Sequence, residues 1–215
     1  MVGQVWAARA IMIRTFVAIE LDDDLRKAVA KVQEQIQEQL MGPLRHTAPG
    51  VRIQWVRPGS IHLTLKFLGD IDEARVEEIR AALVPAVQTQ SRFAVDVGGL
   101  GVFPDLRAPR VLWIGLLSQV DALMRLAAEV EAALNGVGFP PESRPLSPHL
   151  TLARIKERSR EVGKGLADSG LMAQPFRVGN LAVHAVCLMK SDLKPSGAVY
   201  TRLVQVPLTH ATADR

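Results

Sequence analysis

Two histidines of this 215-residue chain lie in nearly the same nine-residue phrase. Residues 57–65 read RPGSIHLTL and residues 144–152 read RPLSPHLTL, so that seven of the nine positions are identical. The chain contains only five histidines, and His62 and His149 are 87 residues apart. A packing role does not require the same phrase twice, so the repetition indicates a duplicated functional element.

The apolar pattern around each histidine is typical of a β-strand. Because side chains alternate between the two faces of a strand, His62 should share a face with Thr64, and His149 with Thr151. The intervening leucines can anchor each strand to a core. Imidazoles titrate near neutral pH, so one ring can act as general base while the other acts as general acid. Phosphodiester cleavage needs such a pair, together with donors such as the two threonine hydroxyls for the phosphate oxygens.

Other chemistries find less support. A catalytic zinc ion usually has three protein ligands, and neither His-x-His nor His-Glu-x-x-His supplies a third one here. We therefore expect no metal. The sequence lacks a P-loop, a Gly-x-Gly-x-x-Gly fingerprint and a Gly-x-Ser-x-Gly nucleophile elbow, so we expect no nucleotide cofactor either.

Composition is ordinary for a globular protein, with 48% hydrophobic and 22% charged residues. A net charge of +4 and an isoelectric point near 9.6 favour anionic ligands, among which phosphate esters are common. Cys187 is the only cysteine, which excludes an intramolecular disulfide and fits a reducing cytoplasm. No stretch reaches the roughly 20 apolar residues of a membrane span, so we expect no membrane association.

Hydrophobic periodicity predicts the elements that must hold the two phrases. The first half should run strand, helix, strand, strand, helix, strand, beginning with a buried strand at residues 13–21. Asp22 is the expected N-cap of the first helix, and the stretch from Gly42 to Gly50 is expected to end it.

The second half is predicted to repeat this order. A strand at residues 110–117 and a helix precede the second histidine strand, and a helix weakened by glycines follows at residues 157–172. Two long strands, at residues 176–189 and 198–206, should then be joined by a turn at residues 194–197.

We therefore expect an α+β fold with two pseudo-symmetric lobes. Each lobe is a mainly antiparallel sheet with helices on its outer face, and the active site lies in the cleft between them. Met12 is an alternative start to Met1. The expected boundaries are an extension at 1–11, one domain at 12–208 with halves near 12–103 and 110–207 between which strands can swap, and a tail at 209–215.

Five phrases of the sequence, two of which contain the histidine motifs, support a resemblance to a known protein family. RTFVAIEL, WVRPGSIHLTLKFLGD, FPDLRAPRVLWIGL, SPHLTLARI and GAVYTRL all occur in the chain. With the two His-x-Thr motifs, they resemble the two-histidine phosphoesterases, and in particular the branch of RNA 2′,3′-cyclic phosphodiesterases, historically called 2′-5′ RNA ligases. The resemblance extends from Ile13 to about Pro207.

This resemblance implies a metal-independent hydrolase that opens a 2′,3′-cyclic phosphate at an RNA end and leaves a 2′-phosphate. It makes His62 and His149 the catalytic acid–base pair, with Thr64 and Thr151 binding phosphate. By family analogy His62 is the acid and His149 activates water, although the sequence alone does not distinguish them. Alternatives are ATP-independent 2′-5′ ligation, action on another small cyclic or 2′-5′-linked nucleotide, and an RNA-binding module without turnover. A monomer is expected.

Further substrate contacts follow from the resemblance and from strand geometry. Arg154 is expected to bind phosphate, although strict alternation would turn it away from Thr151 unless the strand bulges. Lys66 shares a predicted face with Thr64 and is a second candidate. RNA ends are read largely by stacking, and four further residues are candidates to stack on a base or reach the RNA backbone, namely Phe16, Phe103, Arg110 and Tyr200. Phe16 lies in an apolar strand, which favours core packing as its alternative role.

Overall fold

A computed structural model describes residues 10–194 and 197–210. Most of the expected extension and tail, and the centre of the 194–197 turn, lie outside these residues. The elements in chain order are β1 (Met12–Glu20), α1 (Asp23–Thr47), β2 (Arg52–Trp55), β3 (His62–Asp72), α2 (Val76–Gln88), β4 (Phe93–Phe103), β5 (Val111–Leu116), α3 (Val120–Gly136), β6 (Leu150–Glu157), α4 (Ser159–Asp168), β7 (Arg177–Val183), β8 (Ala185–Lys194) and β9 (Gly197–Pro207).

Eight strands form one continuous antiparallel path in the order β7-β4-β5-β6-β3-β1-β8-β9, and β2 pairs with β6 beside that path. Between β6 and β3, this order divides into two equivalent sets of four strands. We call β3, β1, β8 and β9 the first lobe, and β6, β5, β4 and β7 the second lobe. The α+β fold with two pseudo-symmetric lobes is therefore confirmed.

The two lobes are joined where β3 meets β6, and there the register contains a single pair, Leu63 with Leu150. Each of these leucines directly follows one of the repeated histidines and is fully buried. The pseudo-two-fold axis thus passes between the two repeated phrases.

The lobes do not coincide with the halves of the sequence. Strand β4, from the first half, pairs with β5 and β7 in the second lobe, while β8 and β9 return to the first lobe beside β1. Helix α1 packs against β7 and α4, and α2 packs against β9 and α3. The strand exchange that the sequence allowed is therefore extensive.

Helix α1 shows where the local prediction was right and where it was wrong. Asp22 accepts a hydrogen bond from the backbone N–H of Leu25 at 2.8 Å, as expected of an N-cap. The helix continues to Thr47, however, although Gly42 and Pro43 were expected to end it. Leu44 is buried one residue beyond the proline, and this burial compensates for the hydrogen bond that proline cannot donate.

The predicted strand at residues 176–189 is two strands. It breaks at His184, so that β7 lies at one end of the strand order and β8 near the other. A one-residue connection between such distant positions requires the sheet to curl until its two ends approach each other. Leu208 closes this junction by donating its backbone N–H to the carbonyl of His184.

The helices and the inward-facing strand residues form one large core, in which Leu63, Leu65, Leu150 and Leu152 are all buried. The leucines of both repeated phrases thus anchor their strands, as predicted. Gln33 of α1 also crosses this core, where its amide donates to the carbonyls of Val56 at 2.8 Å and Leu152 at 2.9 Å. Among the helices of the described chain, none is long and apolar enough to cross a membrane.

Candidate active site

The histidines and threonines of the repeated phrases meet on the sheet face opposite the helices. Strands β3 and β6 pair antiparallel at Leu63 and Leu150, so His62 and Thr151 flank this pair on one side while Thr64 and His149 flank it on the other. All four side chains line one cavity of about 570 Å³. Each lobe therefore contributes one imidazole and one hydroxyl to the same cavity.

Both imidazoles are held by the same backbone contact. Nδ1 of His62 lies 2.9 Å from the carbonyl oxygen of Ser60, and Nδ1 of His149 lies 2.7 Å from that of Ser147. A carbonyl can only accept, so Nδ1 must donate its proton in each case. In the neutral ring this leaves Nε2 without a proton, so Nε2 is the atom that can accept a proton from a ligand and later return it.

Aromatic side chains set the orientation of each imidazole. The His62 ring lies 4.6 Å from the Phe16 ring and meets Tyr200 edge-on at 4.9 Å. The His149 ring meets Phe103 edge-on at 5.0 Å, and Trp113 lies 6.1 Å away. Such packing limits rotation of the rings and excludes water from one side of each.

The surroundings of both histidines disfavour their charged form. Burial is the largest influence on the pKa of His62 and lowers it, the hydrogen bond to Ser60 opposes this, and the Arg154 guanidinium lowers it further. Burial likewise lowers the pKa of His149, again with a contribution from Arg154. The Glu20 carboxylate raises the pKa of His62 and has no counterpart beside His149, whereas the charge of His149 lowers the pKa of His62.

Matching irregularities in β3 and β6 decide which later side chains reach the cavity. In β6 the register against β5 skips Leu152, and in β3 the register against β1 skips Leu65. Each bulge adds one residue and so reverses the alternation that follows it. Arg154 therefore reaches the cavity beside Thr151, as the resemblance implied.

Lys66 is turned the other way by the same kind of bulge, so its expected phosphate contact is wrong. Its side chain is only 3% exposed, and its ammonium donates to Glu131 at 3.0 Å and to the carbonyl of Pro140 at 2.7 Å. Lys66 thus ties β3 to α3 and to the loop that follows this helix.

Two of the other expected contacts also need correction. Arg110 is exposed at the start of β5 and is not among the residues that line the cavity in the described chain. Phe16 does line it, but with 3% exposure it supports the His62 ring and has little surface on which a base could stack. Phe103 and Tyr200 line the cavity with part of their surface accessible.

Several cavity residues were missed from the sequence, among them Phe67, Arg14 and Ser191. Phe67 follows His62 by five residues, as Arg154 follows His149, and it is 60% exposed. Aligning the two phrases beyond their shared leucines would have paired these two residues. Arg14 adds a second guanidinium, and no carboxylate lines the cavity within the described residues.

The cavity is therefore cationic, partly aromatic and equipped with two proton-transfer groups. Such a site can bind a phosphate diester, donate hydrogen bonds to its oxygens, and move protons onto and off the bridging atoms. Nowhere in residues 10–194 and 197–210 do three histidine, cysteine or acidic side chains gather as metal ligands would.

Comparison with known proteins identifies relatives of the whole chain. The family described as LigT like Phosphoesterase matches residues 20–113 and again residues 114–200. A protein of Aquifex aeolicus named RNA 2′,3′-cyclic phosphodiesterase is 33% identical over 193 residues, which cover 88% of this chain and 94% of that protein. A protein of Aeropyrum pernix with the same name is 35% identical over 169 residues, covering 78% of this chain and 92% of that one.

Solved structures agree on the fold. The crystal structure of the protein TT0787 of Thermus thermophilus superposes with a TM-score of 0.70 at 26% identity, covering 93% of this chain and all of that one. The fold of this chain is thus similar to that of the Thermus thermophilus protein over nearly its whole length.

Proposed function

The chain belongs to the LigT-like phosphoesterases, whose family pattern spans both of its halves, and we propose that it hydrolyses 2′,3′-cyclic phosphates at RNA ends to 2′-phosphomonoesters. One observation carries the proposal. His62 and His149, each with Nδ1 bound to a backbone carbonyl, line a single cationic cavity together with Thr64 and Thr151. The names of the relatives from Aquifex aeolicus and Aeropyrum pernix support the same substrate class.

The reaction needs one proton removed and one proton delivered. Nε2 of His149 accepts a proton from water as its oxygen attacks phosphorus, and the bond from phosphorus to the 3′ oxygen breaks. Nε2 of protonated His62 delivers a proton to that departing oxygen, which leaves the phosphate on the 2′ oxygen. The two imidazoles end with exchanged protonation states, and proton exchange with solvent restores them.

The assignment of these roles rests on the difference in charge around the two rings. Burial lowers the pKa of His62, and the Glu20 carboxylate partly offsets this effect and so favours the protonated form that a general acid requires. Glu20 pairs across the sheet with His62 and is itself bound to Arg202 at 2.9 Å.

The threonines and arginines stabilise charge on the phosphate. The hydroxyls of Thr64 and Thr151 donate hydrogen bonds to the non-bridging oxygens, one from each lobe. The guanidinium groups of Arg154 and Arg14 supply positive charge where negative charge accumulates during the attack. The aromatic surfaces of Phe67 and Phe103 are available to the base of the terminal nucleotide.

We also propose that the protein acts as a monomer in the cytoplasm. Both histidines come from one chain, so the site needs no residue from a second copy. The sole cysteine, Cys187, is buried, which fits a reducing compartment in which no disulfide is required.

The proposal is tested by incubating a nucleoside 2′,3′-cyclic phosphate with the protein in EDTA and identifying the product by phosphorus NMR. We expect turnover without added metal and a 2′-phosphomonoester as the product. A 3′-phosphomonoester, or activity that EDTA abolishes and zinc restores, would show that the proposed reaction or its metal-free mechanism is wrong.

A further inference from the structure

A second cavity of about 320 Å³ adjoins the active site. It lies between β2 and β6 on one side and the end of the β8–β9 hairpin on the other, so both lobes contribute to it. Arg154 and Tyr200 line both cavities, as do Val56 and Ser60. The two cavities are therefore parts of one groove that passes the catalytic histidines.

This second cavity is strongly cationic. Arg57, Lys156 and Lys194 line it together with Arg154, and all four side chains are exposed. No carboxylate is among its lining residues, and the ion pairs of the described chain do not include any of these four cations. The nearby acids Glu157 and Asp192 are instead paired with Arg52 and Lys190.

The same cavity offers an aromatic surface and an amide. Trp55 packs against the hydrophobic core with part of its ring and lines the cavity with the remainder. Gln54 stands opposite Arg154 in the β2–β6 pair, and its side chain is exposed in the cavity. Cations interleaved with an aromatic ring are the combination that binds single-stranded nucleic acid, because they contact the phosphates and stack on a base.

Substrate chemistry determines which part of an RNA could reach this cavity. In a 2′,3′-cyclic end, the 2′ and 3′ oxygens of the terminal ribose are both bonded to the phosphorus that takes its place between the histidines in the proposed reaction. The remainder of the RNA can therefore leave the site only through the 5′ oxygen. The second cavity adjoins the active site along the same groove and presents positive charge where the next phosphodiester can lie.

We propose that this cavity, lined by Trp55, Arg57, Lys156 and Lys194, binds the nucleotide on the 5′ side of the cyclic phosphate. The enzyme then acts preferentially on RNA strands, and a cyclic mononucleotide is a poorer substrate because it leaves the cavity empty. This inference rests on the proposed hydrolysis of cyclic phosphates but concerns a separate set of residues.

Binding tests the inference independently of turnover. The probe is a 5′-fluorescein RNA trinucleotide with a 2′-phosphate end, and its affinity is measured by anisotropy over a range of salt concentrations. Lys156→Gln should weaken binding about fivefold at low salt and reduce the slope of log K against log salt by about 0.7, as loss of one phosphate contact on a single strand does. Trp55→Leu should weaken binding about tenfold through lost stacking.

Arg125→Gln is the matched control for the charge. Arg125 is an exposed cation on α3 that lines neither cavity. It should leave both the affinity and the salt slope of the wild type unchanged. If Lys156→Gln and Arg125→Gln weaken RNA binding equally, the effect arises from the overall charge of the protein, and this result would overturn the proposed subsite.

Kinetics separates this inference from the function on which it rests. kcat/KM is compared for a nucleoside 2′,3′-cyclic phosphate and for a trinucleotide with the same cyclic end. We expect the trinucleotide to be preferred by about tenfold or more, and Lys156→Gln to remove several-fold of that preference. Hydrolysis of both substrates at equal rates would overturn the subsite alone, whereas hydrolysis of neither would overturn the proposed function. In the latter case the anisotropy titration still decides whether the cavity binds RNA.

Discussion

Two backbone carbonyls fix the proton position in the catalytic histidines. Ser60 and Ser147 occupy the same position in the two phrases, two residues before each histidine, and each accepts the proton of Nδ1. Both serines recur at the same position of the repeated phrase, but the contact is made by their backbone carbonyls and not by their hydroxyls. The sequence predicted both histidines, but it offered no reason to single out these carbonyls.

The roles of the two histidines can be separated by the leaving group. A departing 3′ alkoxide needs a proton, whereas a 4-nitrophenolate leaves without one. His62→Ala should therefore reduce kcat/KM by about 10²–10⁴-fold on a cyclic phosphate and much less on bis(4-nitrophenyl) phosphate. His149→Ala should impair both reactions to a similar degree. The reverse pattern would exchange the two roles, and equal losses for both variants on both substrates would argue against a general acid.

The pH dependence of kcat/KM follows from the direction of the pKa shifts. Burial and Arg154 lower the pKa of both histidines below the usual 6.5. The acid must be protonated and the base neutral, so both limbs move to lower pH and the maximum should lie below pH 6.5. Removing a nearby positive charge should raise both pKa values, and hence Arg154→Met should move the limbs upward.

Initial rates at low substrate concentration between pH 4.5 and 9 provide this profile. A wild-type maximum above pH 7, or limbs that stay in place in Arg154→Met, would contradict the electrostatic account of the site. Arg125→Gln again serves as the charge control, since Arg125 does not line the cavity.

At the level of the elements, the two bulges decide what the histidine strands present to the substrate. A strict two-residue period predicts Lys66 on the cavity face and Arg154 away from it, and the structure shows the opposite. A bulge depends on how a strand pairs with its neighbour, and this pairing is set by strands far away in the chain. The pattern within one strand therefore could not show it.

Because of the two bulges, we expect substitution of Lys66 to affect mainly stability and substitution of Arg154 to affect mainly kcat/KM. Lys66→Met should lower the free energy of unfolding by about 1–3 kcal/mol, because the Glu131 carboxylate and the Pro140 carbonyl lose their buried donor. Its kcat/KM should stay within a few-fold of the wild type. Arg154→Met should change stability by less than about 0.5 kcal/mol, as exposed substitutions do, but reduce kcat/KM by about 10–100-fold.

Urea denaturation and steady-state kinetics on the same two proteins measure both effects. The account of the bulges fails if Lys66→Met loses turnover while remaining as stable as the wild type. It also fails if Arg154→Met retains full activity.

The helices illustrate a second limit of local reasoning. The N-cap at Asp22 depends on residues three positions apart and was predicted correctly. The continuation of α1 through Pro43 depends on the burial of Leu44, which packs over Gly165 of α4. Distant packing of this kind outweighs a local helix breaker and leaves no local pattern in the sequence.

The whole molecule forms one site between two equivalent sets of four strands. Each set contains strands from both halves of the sequence. The repeated phrase predicted the equivalence, because it placed the same strand twice at the centre of the fold. It could not predict that β4 belongs with the second lobe or that β8 and β9 belong with the first. The break at His184 that sends β7 and β8 to separate lobes lies within one uninterrupted apolar pattern.

This exchange has a mechanical consequence for catalysis. Each lobe combines strands from both halves of the sequence, so neither lobe can form from one half alone. A continuous sheet and a shared core, rather than a linker between two domains, fix the positions of the two histidines relative to each other. The site is therefore organised before the substrate binds, which favours catalysis by positioned groups.

We infer that His62 and His149, one from each lobe, form a single acid–base pair. The decisive experiment compares kcat/KM for an RNA with a 2′,3′-cyclic end, in EDTA, among the wild type, His62→Ala, His149→Ala and His184→Ala. His184 is an exposed histidine between β7 and β8 and serves as the control. The account predicts a loss of about 10²–10⁴-fold in each of the first two variants, with native circular dichroism, and wild-type turnover in the third. Wild-type turnover in either His62→Ala or His149→Ala would contradict it.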